Sequence, residues 1–297
     1  MTELYYTISE LLEGTYTARI LTNFSELFVT VFPYLILSIL INTLIRKYFT
    51  KLHYFKTAKG ELGLILIAGL VGIISPLPTY LAVPISLTLL GSGLPFSVIA
   101  TFIISSPLIN PGIFILTWSQ LGIFLALSRV LSAFILGVLA GFLVKYFNKF
   151  NIKQTHRATS SQIENRSFLK ELKSSLLFIG KYFVIALLIA SAVKSFLPYE
   201  LVNQIFTKFS NLSLIIAIIL GVPFYSCGGA AIPLIKVLQE MGLNNGAILA
   251  FFIAGPATKL QTLYVYKTSL GIKLFLYYLG YTLVGATLCG YLLLILS

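Results

Sequence analysis

The chain has 297 residues, 58% of them hydrophobic and 10% charged, with a mean hydropathy of +0.94 and a formal net charge of +12. No water-soluble domain needs that much apolar surface, so the composition defines an all-α polytopic membrane protein of the cell membrane. The basic residues cluster beside apolar runs rather than among exposed aromatic side chains, which assigns the charge to membrane topology and excludes a nucleic-acid partner.

The opening stretch, "MTELYYTISELLEG", carries Glu3, Glu10 and Glu13 and has no basic segment before its apolar residues. It lacks the pattern of a cleavable signal, and residues 1–23 are expected to form an interfacial segment. A first helix is predicted over 24–45, followed by a basic loop at 46–61 that holds Arg46, Lys47, Lys51, Lys56 and Lys59 against Glu61. Between Glu61 and Arg129 lie 67 residues without a charge. A span needs about 20 apolar residues, so this run accounts for two or three passes. Pro and Gly interrupt it at "ISPLPTYLAVP" (74–84) and "SSPLINP" (105–111), dividing it into runs at 62–92 and 94–118 before a helix at 119–144.

A second basic stretch, 145–173, contains seven Lys and Arg residues against Glu164 and Glu171. The positive-inside rule places both basic stretches in the cytoplasm, with an even number of crossings between them. Residues 146–173 are the expected linker between a first permease repeat at 24–145 and a second at 174–297. The second repeat reads as runs at 174–197, 212–241, 244–266 and 271–296. It is interrupted at "GVPFYSCGGAAIP" (221–233) and "AGPATKL" (254–260).

The two halves are copies. Sliding the chain by 149 residues places Pro84 on Pro233, Gly93 on Gly242, Pro107 on Pro256 and Gly122 on Gly271, with 12 identities in the 42 ungapped pairs from 84 to 125. Gly141 and Gly290 continue the register. Chance agreement in such a composition is roughly one in ten, so this is an internal duplication. Counting every run as a span gives about eight hydrophobic spans. Reading the first broken run of each half as a re-entrant hairpin gives three crossings per half. The repeats are then inverted, both chain ends lie outside, and Lys267 and Lys273 are cytoplasmic. Irregular backbone at membrane depth is tolerated only where protein buries it or a watery cavity adjoins it. Paired breaks at matching places in two halves therefore point to a transport site.

At these breaks the sequence resembles the predicted-permease family that includes the organoarsenical-efflux (ArsP-like) permeases. Members carry P-L-C-S-C-G-x-I-P and T-P-x-T-N-P in the first half, and P-L-Y-x-C-x-x-G-x-I-P and A-G-P-A-T-N in the second. The corresponding stretches here are "PLPTYLAVP" (76–84), "SPLINP" (106–111), "PFYSCGGAAIP" (223–233) and "AGPATKL" (254–260). The resemblance covers about 24–297 and implies a permease working in efflux. Pro78 and Tyr80 replace the first-half cysteine pair, which weakens a soft-metalloid substrate because arsenic(III) prefers thiolates. Lys259 replaces the second-half asparagine, and a cation there favours an anionic solute.

The expected substrate cavity lies between the halves, lined by Pro76, Tyr80, Asn110, Ser226, Cys227, Thr258 and Lys259, with Arg129 if it faces inward. Each has a plainer reading. Asn110 also suits the N-cap of the helix that follows. Lys259 and Arg129 could carry their charge to an interface, against which intramembrane ionisable groups are functional by default. Lys236 precedes Glu240 by four residues and reads as an i,i+4 pair. The G-x-x-x-G at 137–141 reads as a helix-packing surface. Cys227 and Cys289 are too few for a disulfide framework.

His53 and His156 lie in the basic loops, Asp is absent, and no Glu sits deep within a run. That removes carboxylate-pair, metalloprotease and Ser/His/Asp chemistry, and no Walker A motif is present. No cofactor or metal is expected, and the chain reads as a permease rather than an enzyme. Its expected partners are the lipid bilayer and a small anionic, polar or thiol-reactive solute, with a homo-oligomer or a partner subunit as further associations. Two readings stand beside this one. The first is a passive channel or the membrane subunit of a larger complex, and the second a thiol-dependent redox protein using Cys227.

Overall fold

The computed structural model describes residues 16–49, 60–75, 77, 82–83, 85–86, 89–90, 93–147, 168–196, 199–208, 213–219 and 229–296. The described residues are mostly helical, and no strand occurs among them. In chain order the helices are α1 (Tyr16–Phe49), α2 (Glu61–Ile74), α3 (Phe96–Ser105), α4 (Pro111–Leu121), α5 (Ile123–Phe147), α6 (Phe168–Phe196), α7 (Tyr199–Lys208), α8 (Ile232–Glu240), α9 (Asn245–Thr258) and α10 (Leu260–Leu296). A short helical stretch at 213–219 precedes α8.

Among the described residues four helices are long and apolar enough to cross a membrane: Tyr16–Ile45, Ile123–Phe147, Ile179–Phe196 and Gly271–Leu296. A fifth span arises if Asn245–Thr258 and Thr262–Thr268, bent by 47° at their junction, are taken together. The protein is thus an all-helical, multi-pass membrane protein. The first helix begins at Tyr16 rather than at 24, because apolar character reaches back past the polar residues Thr22, Asn23 and Ser25. Thr22 and Ser25 return their hydroxyls to the carbonyls of Ala18 and Thr22, so neither leaves the helix short of a partner. α2 has 14 residues. At 1.5 Å per residue that is roughly 21 Å, short of a core of about 30 Å.

α5 shows how the helices are oriented. Leu127, Leu131, Ile135 and Leu139 are exposed, while Arg129, Ser132, Gly137, Ala140 and Gly141 are buried. One face carries large apolar side chains outward, while the inward face holds the small and polar residues together with Leu125, Leu136 and Val138, as expected when the solvent is lipid and helices associate through close backbone approach.

Contacts fix the relative directions. Ser97 donates to Glu61 Oε1 at 2.6 Å, and Gly72 meets Ser105 and Ser106 at the other end of the pair, so α2 and α3 run parallel. Residue 75 therefore stands at the far end of the pair and residue 95 back at the near end. Lys145, at the end of α5, lies 3.6 Å from Glu61, so α5 returns to that same end. In the second half Asn244 donates to Ser213 Oγ at 2.7 Å, which likewise brings the two ends of the 213–244 stretch together. α1 and α6 pair antiparallel, with Tyr16 stacked on Phe196, Asn23 bonded to Ser195, and Phe28 against Phe183.

Local geometry recurs at the 149-residue offset. Gly93 and Gly242 have φ of 95° and 100°, and each closes a turn with its N–H donating to a carbonyl three residues back, Leu90 and Gln239 respectively. Gly122 and Gly271 have φ of 92° and 81°, and each separates a short helix from a long one. A Cβ on Gly141 would meet Thr101 Oγ1, Ser97 O at 3.0 Å and Ile65 at 3.1 Å. A Cβ on Gly290 would meet Ala250 at 2.9 Å, Gly246 O at 2.8 Å and Leu214 at 2.9 Å. All four members of the first contact map onto the second by the one offset.

Candidate functional site

Besides the α1–α6 pair, the two halves meet where α5 crosses the long part of α10. Leu136 lies on Gly285, its own equivalent in the second half, with 2.7 Å from the leucine methyl to a Cβ placed there. On one side of this contact Cys289 lies against Ser132. On the other, Tyr281 donates to Leu136 O at 2.5 Å and lies against the amide of Ala140. Residue numbers rise along α5 as they fall along α10, so the equivalent helices cross antiparallel. Positions 132 and 281 correspond under the offset, as do 140 and 289, so the contact is its own image.

The first-half break sits beside this crossing. After α3 the chain turns at 106–108, and Asn110 opens α4 as its N-cap, accepting from Ile113 N at 2.9 Å. The turn leaves the Leu108 carbonyl outside any helix, and Arg129 of α5 donates to it at 3.3 Å. Arg129 also donates to Thr117 Oγ1 at 2.6 Å, and its guanidinium carbon lies 3.8 Å from the centre of the Phe252 ring of α9. The side chain is 2% exposed, so it points into the protein and does not carry its charge to an interface. Arg129 therefore satisfies freed backbone in one half while stacking on the broken run of the other.

The second-half break falls later than its proline. Pro256 lies inside α9, which continues to Thr258 before Lys259 adopts an extended conformation (φ −59°, ψ 127°). Thr258 is buried and returns its hydroxyl to Ala254 O at 3.0 Å and Gly255 O at 3.3 Å. Lys259 is half-buried, and its carbonyl accepts from Leu263 N at 2.9 Å, as the equivalent Asn110 carbonyl accepts from Phe114 N at 2.8 Å. Asn110, Arg129, Thr258 and Lys259 are thus the described members of the expected cavity lining. Pro76, Tyr80, Ser226 and Cys227 lie outside the described residues.

Other polar residues stand at the half–half boundary. Lys236 donates to Gln120 Oε1 at 3.3 Å, and Gln120 in turn donates to Thr30 O at 3.3 Å. The expected Lys236–Glu240 pair does not form: Glu240 is exposed, whereas Gln120 offers a buried acceptor on α4. Tyr266 donates to Ile103 O at 3.1 Å and stacks on Tyr278 at 4.0 Å between centroids. Under the offset Tyr266 and Tyr278 correspond to Thr117 and Arg129. That correspondence is the one sequence signal for these positions, and a search for identities passes over it because the two copies differ there. Among the described residues no group of three or more His, Cys, Asp or Glu side chains gathers.

Helices long and apolar enough to cross a membrane, with shorter helices packed between them, define the class as a multi-pass membrane protein. The chain belongs to the predicted permease family ArsP_1, whose profile matches residues 17–295. It is similar to the UPF0718 protein MJ0584 of Methanocaldococcus jannaschii, 29% identical over 129 residues, which are 43% of this chain and 35% of that protein. The chain therefore aligns with about a third of that relative's length. It is also similar to a putative two-component membrane permease complex subunit of Streptococcus mutans, 24% identical over 272 residues, covering 88% of this chain and 90% of that protein. No solved structure matches.

Proposed function

We propose that the protein exports a small solute across the cell membrane by alternating access between two inverted repeats, 24–145 and 174–297, joined by a cytoplasmic linker at 146–173. The carrying observation is the antiparallel crossing of equivalent positions at Leu136 and Gly285. A contact that is its own image is what a two-fold axis in the membrane plane produces. The hydrogen bonds Ser97–Glu61 and Asn244–Ser213 support re-entrant hairpins, each closed at the end where it enters. With Glu61 beside Lys145 on the basic, cytoplasmic side, the first hairpin enters from the inside and the second from the outside.

In this reading the solute occupies the space between the hairpin tips and the two breaks, lined by Pro76, Tyr80, Asn110, Ser226, Cys227, Thr258, Lys259 and Arg129. The chain acts as a transporter rather than an enzyme. The S. mutans relative is named as a subunit of a two-component membrane permease complex, which raises a partner subunit here, and the test also addresses it.

The test is growth of a host stripped of its own efflux systems, challenged with organoarsenicals, thiol-reactive agents and organic anions. The chain expressed alone should protect against at least one class, and Lys259→Asn should change which class. No protection, with the protein present in the membrane, would count against export by this chain alone.

A further inference from the structure

We infer that Ser106 and Thr262, one hydroxyl from each half, bind an oxyanion group of the solute (a carboxylate, phosphate or sulfate) beside Lys259. This rests on the permease reading and names the solute class and two further residues that contact it. Buried hydroxyls in these helices return to a carbonyl one turn back, as those of Thr101, Ser105, Thr258 and Thr282 do. Ser106 Oγ and Thr262 Oγ1 do not. Ser106 is 2% exposed and Thr262 1%, and among the described residues neither hydroxyl has a hydrogen-bond partner. The two breaks are the cause. The carbonyl one turn before Thr262 belongs to Thr258, across the extended Lys259 and the 47° bend. The one before Ser106, Phe102 O, already accepts the Ser106 N–H at 3.0 Å. A buried hydroxyl left without a partner is unfavourable, and a ligand that bonds it removes that penalty.

The two hydroxyls flank one contact between the halves. Ser106 keeps helical dihedrals (φ −60°, ψ −40°) at the end of α3 and continues the face of Ile99 and Ile103. Those two isoleucines pack in one apolar cluster with Tyr266. Tyr266 donates to Ile103 O at 3.1 Å, the carbonyl that Pro107 leaves without an amide partner. A helical carbonyl points toward the residue four on, so the Tyr266 hydroxyl lies level with residues 106 and 107. A long helical side chain leans back over the residue four before it, which for Tyr266 is Thr262.

The helix directions agree. Gly137 packs on Ser105 and Gly141 on Ser97, so α3 opposes α5. Gly290 packs on Ala250 and Gly246 on Leu294, so α9 opposes the long part of α10. Because α5 and the long part of α10 oppose each other, α9 also opposes α3, and the start of α10 carries on from α9 through the bend. Passing from Tyr266 to Thr262 therefore leads toward Ser106 and away from Ile99.

Lys259 fixes the sign of the ligand. It stands at the cap of α10, and the cap and third positions of a helix are neighbours, the third being Thr262. Lys259 is half-buried, and the first-turn amides of α10 face the same break. Two hydroxyl donors, an ammonium and a helix N-terminus suit oxygen atoms that carry negative charge. The glutamates of the described helices are placed elsewhere: Glu26 pairs with Lys194, Glu61 with Lys145, and Glu200 and Glu240 are exposed. Under the 149-residue offset Ser106 and Thr262 correspond to Gly255 and Ile113. The matching corner of the other copy thus packs with neither hydroxyl, and the fold does not require them.

The experiment uses the full chain purified in detergent, titrated calorimetrically with sulfate, inorganic phosphate and acetate, with chloride at matched ionic strength as the control. At least one oxyanion should bind saturably. Ser106→Ala and Thr262→Val should each weaken that binding about tenfold, the size of one lost hydrogen bond, whereas Thr262→Ser should retain it. Without an oxyanion both variants should melt at or above the wild type, because the hydroxyl removed had no partner. No saturable binding, unchanged affinity in both variants, or a lowered melting temperature in both without an oxyanion would overturn the inference. Flux into proteoliposomes separates this from the permease reading. An oxyanion that binds but is never carried keeps the site and removes the permease, whereas flux that both variants leave unchanged keeps the permease and removes the site.

Discussion

Replacing Gly141 or Gly290 by alanine should destabilise the protein, although alanine is the better helix former. The propensity gain is about 1 kcal/mol. Against it stands overpacking, which typically costs about 1–3 kcal/mol. The obstacles here are backbone: Ser97 O at 3.0 Å from the new methyl of position 141, and Gly246 O at 2.8 Å from that of position 290. Thr101 cannot readily turn aside, because its hydroxyl is bonded to Ser97 O at 3.0 Å. With contacts this close the cost should fall in the upper part of that range and leave a net loss of up to about 2 kcal/mol, which at roughly 2–4 °C per kcal/mol lowers the melting temperature by a few degrees. Gly180 and Gly280 are helical glycines with nothing within 4 Å of a Cβ, so alanine there should raise the melting temperature. Thermal unfolding followed by far-ultraviolet circular dichroism reads all four. Unchanged or raised stability in Gly141→Ala and Gly290→Ala, or a loss in Gly280→Ala, would refute the close-packing argument.

Asn110→Ala should cost about 1 kcal/mol through loss of the cap to Ile113, while Asn110→Asp keeps it, as thermal unfolding will show. Ser132→Cys, in a Cys227→Ser background, should cross-link to Cys289 on oxidation. Cleavage in the 146–173 linker would then leave the two halves joined until a reductant is added, and halves that separate without one would contradict the crossing. Glu61→Gln should cost less than about 1 kcal/mol, because it removes a partly exposed ion pair with Lys145 and retains an acceptor for Ser97. Glu61→Ala, which removes both, should cost more in the same melt.

The long helices were legible because their apolar runs outlast a membrane, and Pro33 does not stop the first of them. The repeated L-G-I at 121–123 and 270–272 holds two of the positive-φ glycines, Gly122 and Gly271, since glycine alone takes the conformation freely. The end of α9 was not legible. Pro256 signals a break, but proline is accommodated within a membrane helix when hydroxyls such as that of Thr258 bond nearby carbonyls. The amphipathic α7 (Tyr199–Lys208) went unmarked because ten residues between two apolar runs read as a connection. The partner of Lys236 was hidden for a different reason. Gln120 lies 116 residues away in the chain, and Glu240 offered a nearer acceptor that only burial disqualifies. Arg129 was visible as a charge in an apolar helix, but its inward direction depends on Thr117, Leu108 and Phe252 meeting around it.

The inverted-repeat claim is tested most directly by sidedness at the two turns that follow the hairpins. Single cysteines replace Ser92, beside Gly93, and Glu240, beside Gly242, in a background lacking Cys227 and Cys289, with Lys153→Cys in the basic linker as the reference. An impermeant thiol reagent is applied to intact cells and to inverted vesicles. The account predicts that Ser92→Cys is labelled from the same side as Lys153→Cys and Glu240→Cys from the opposite side. Labelling of both turn positions from one face would contradict it.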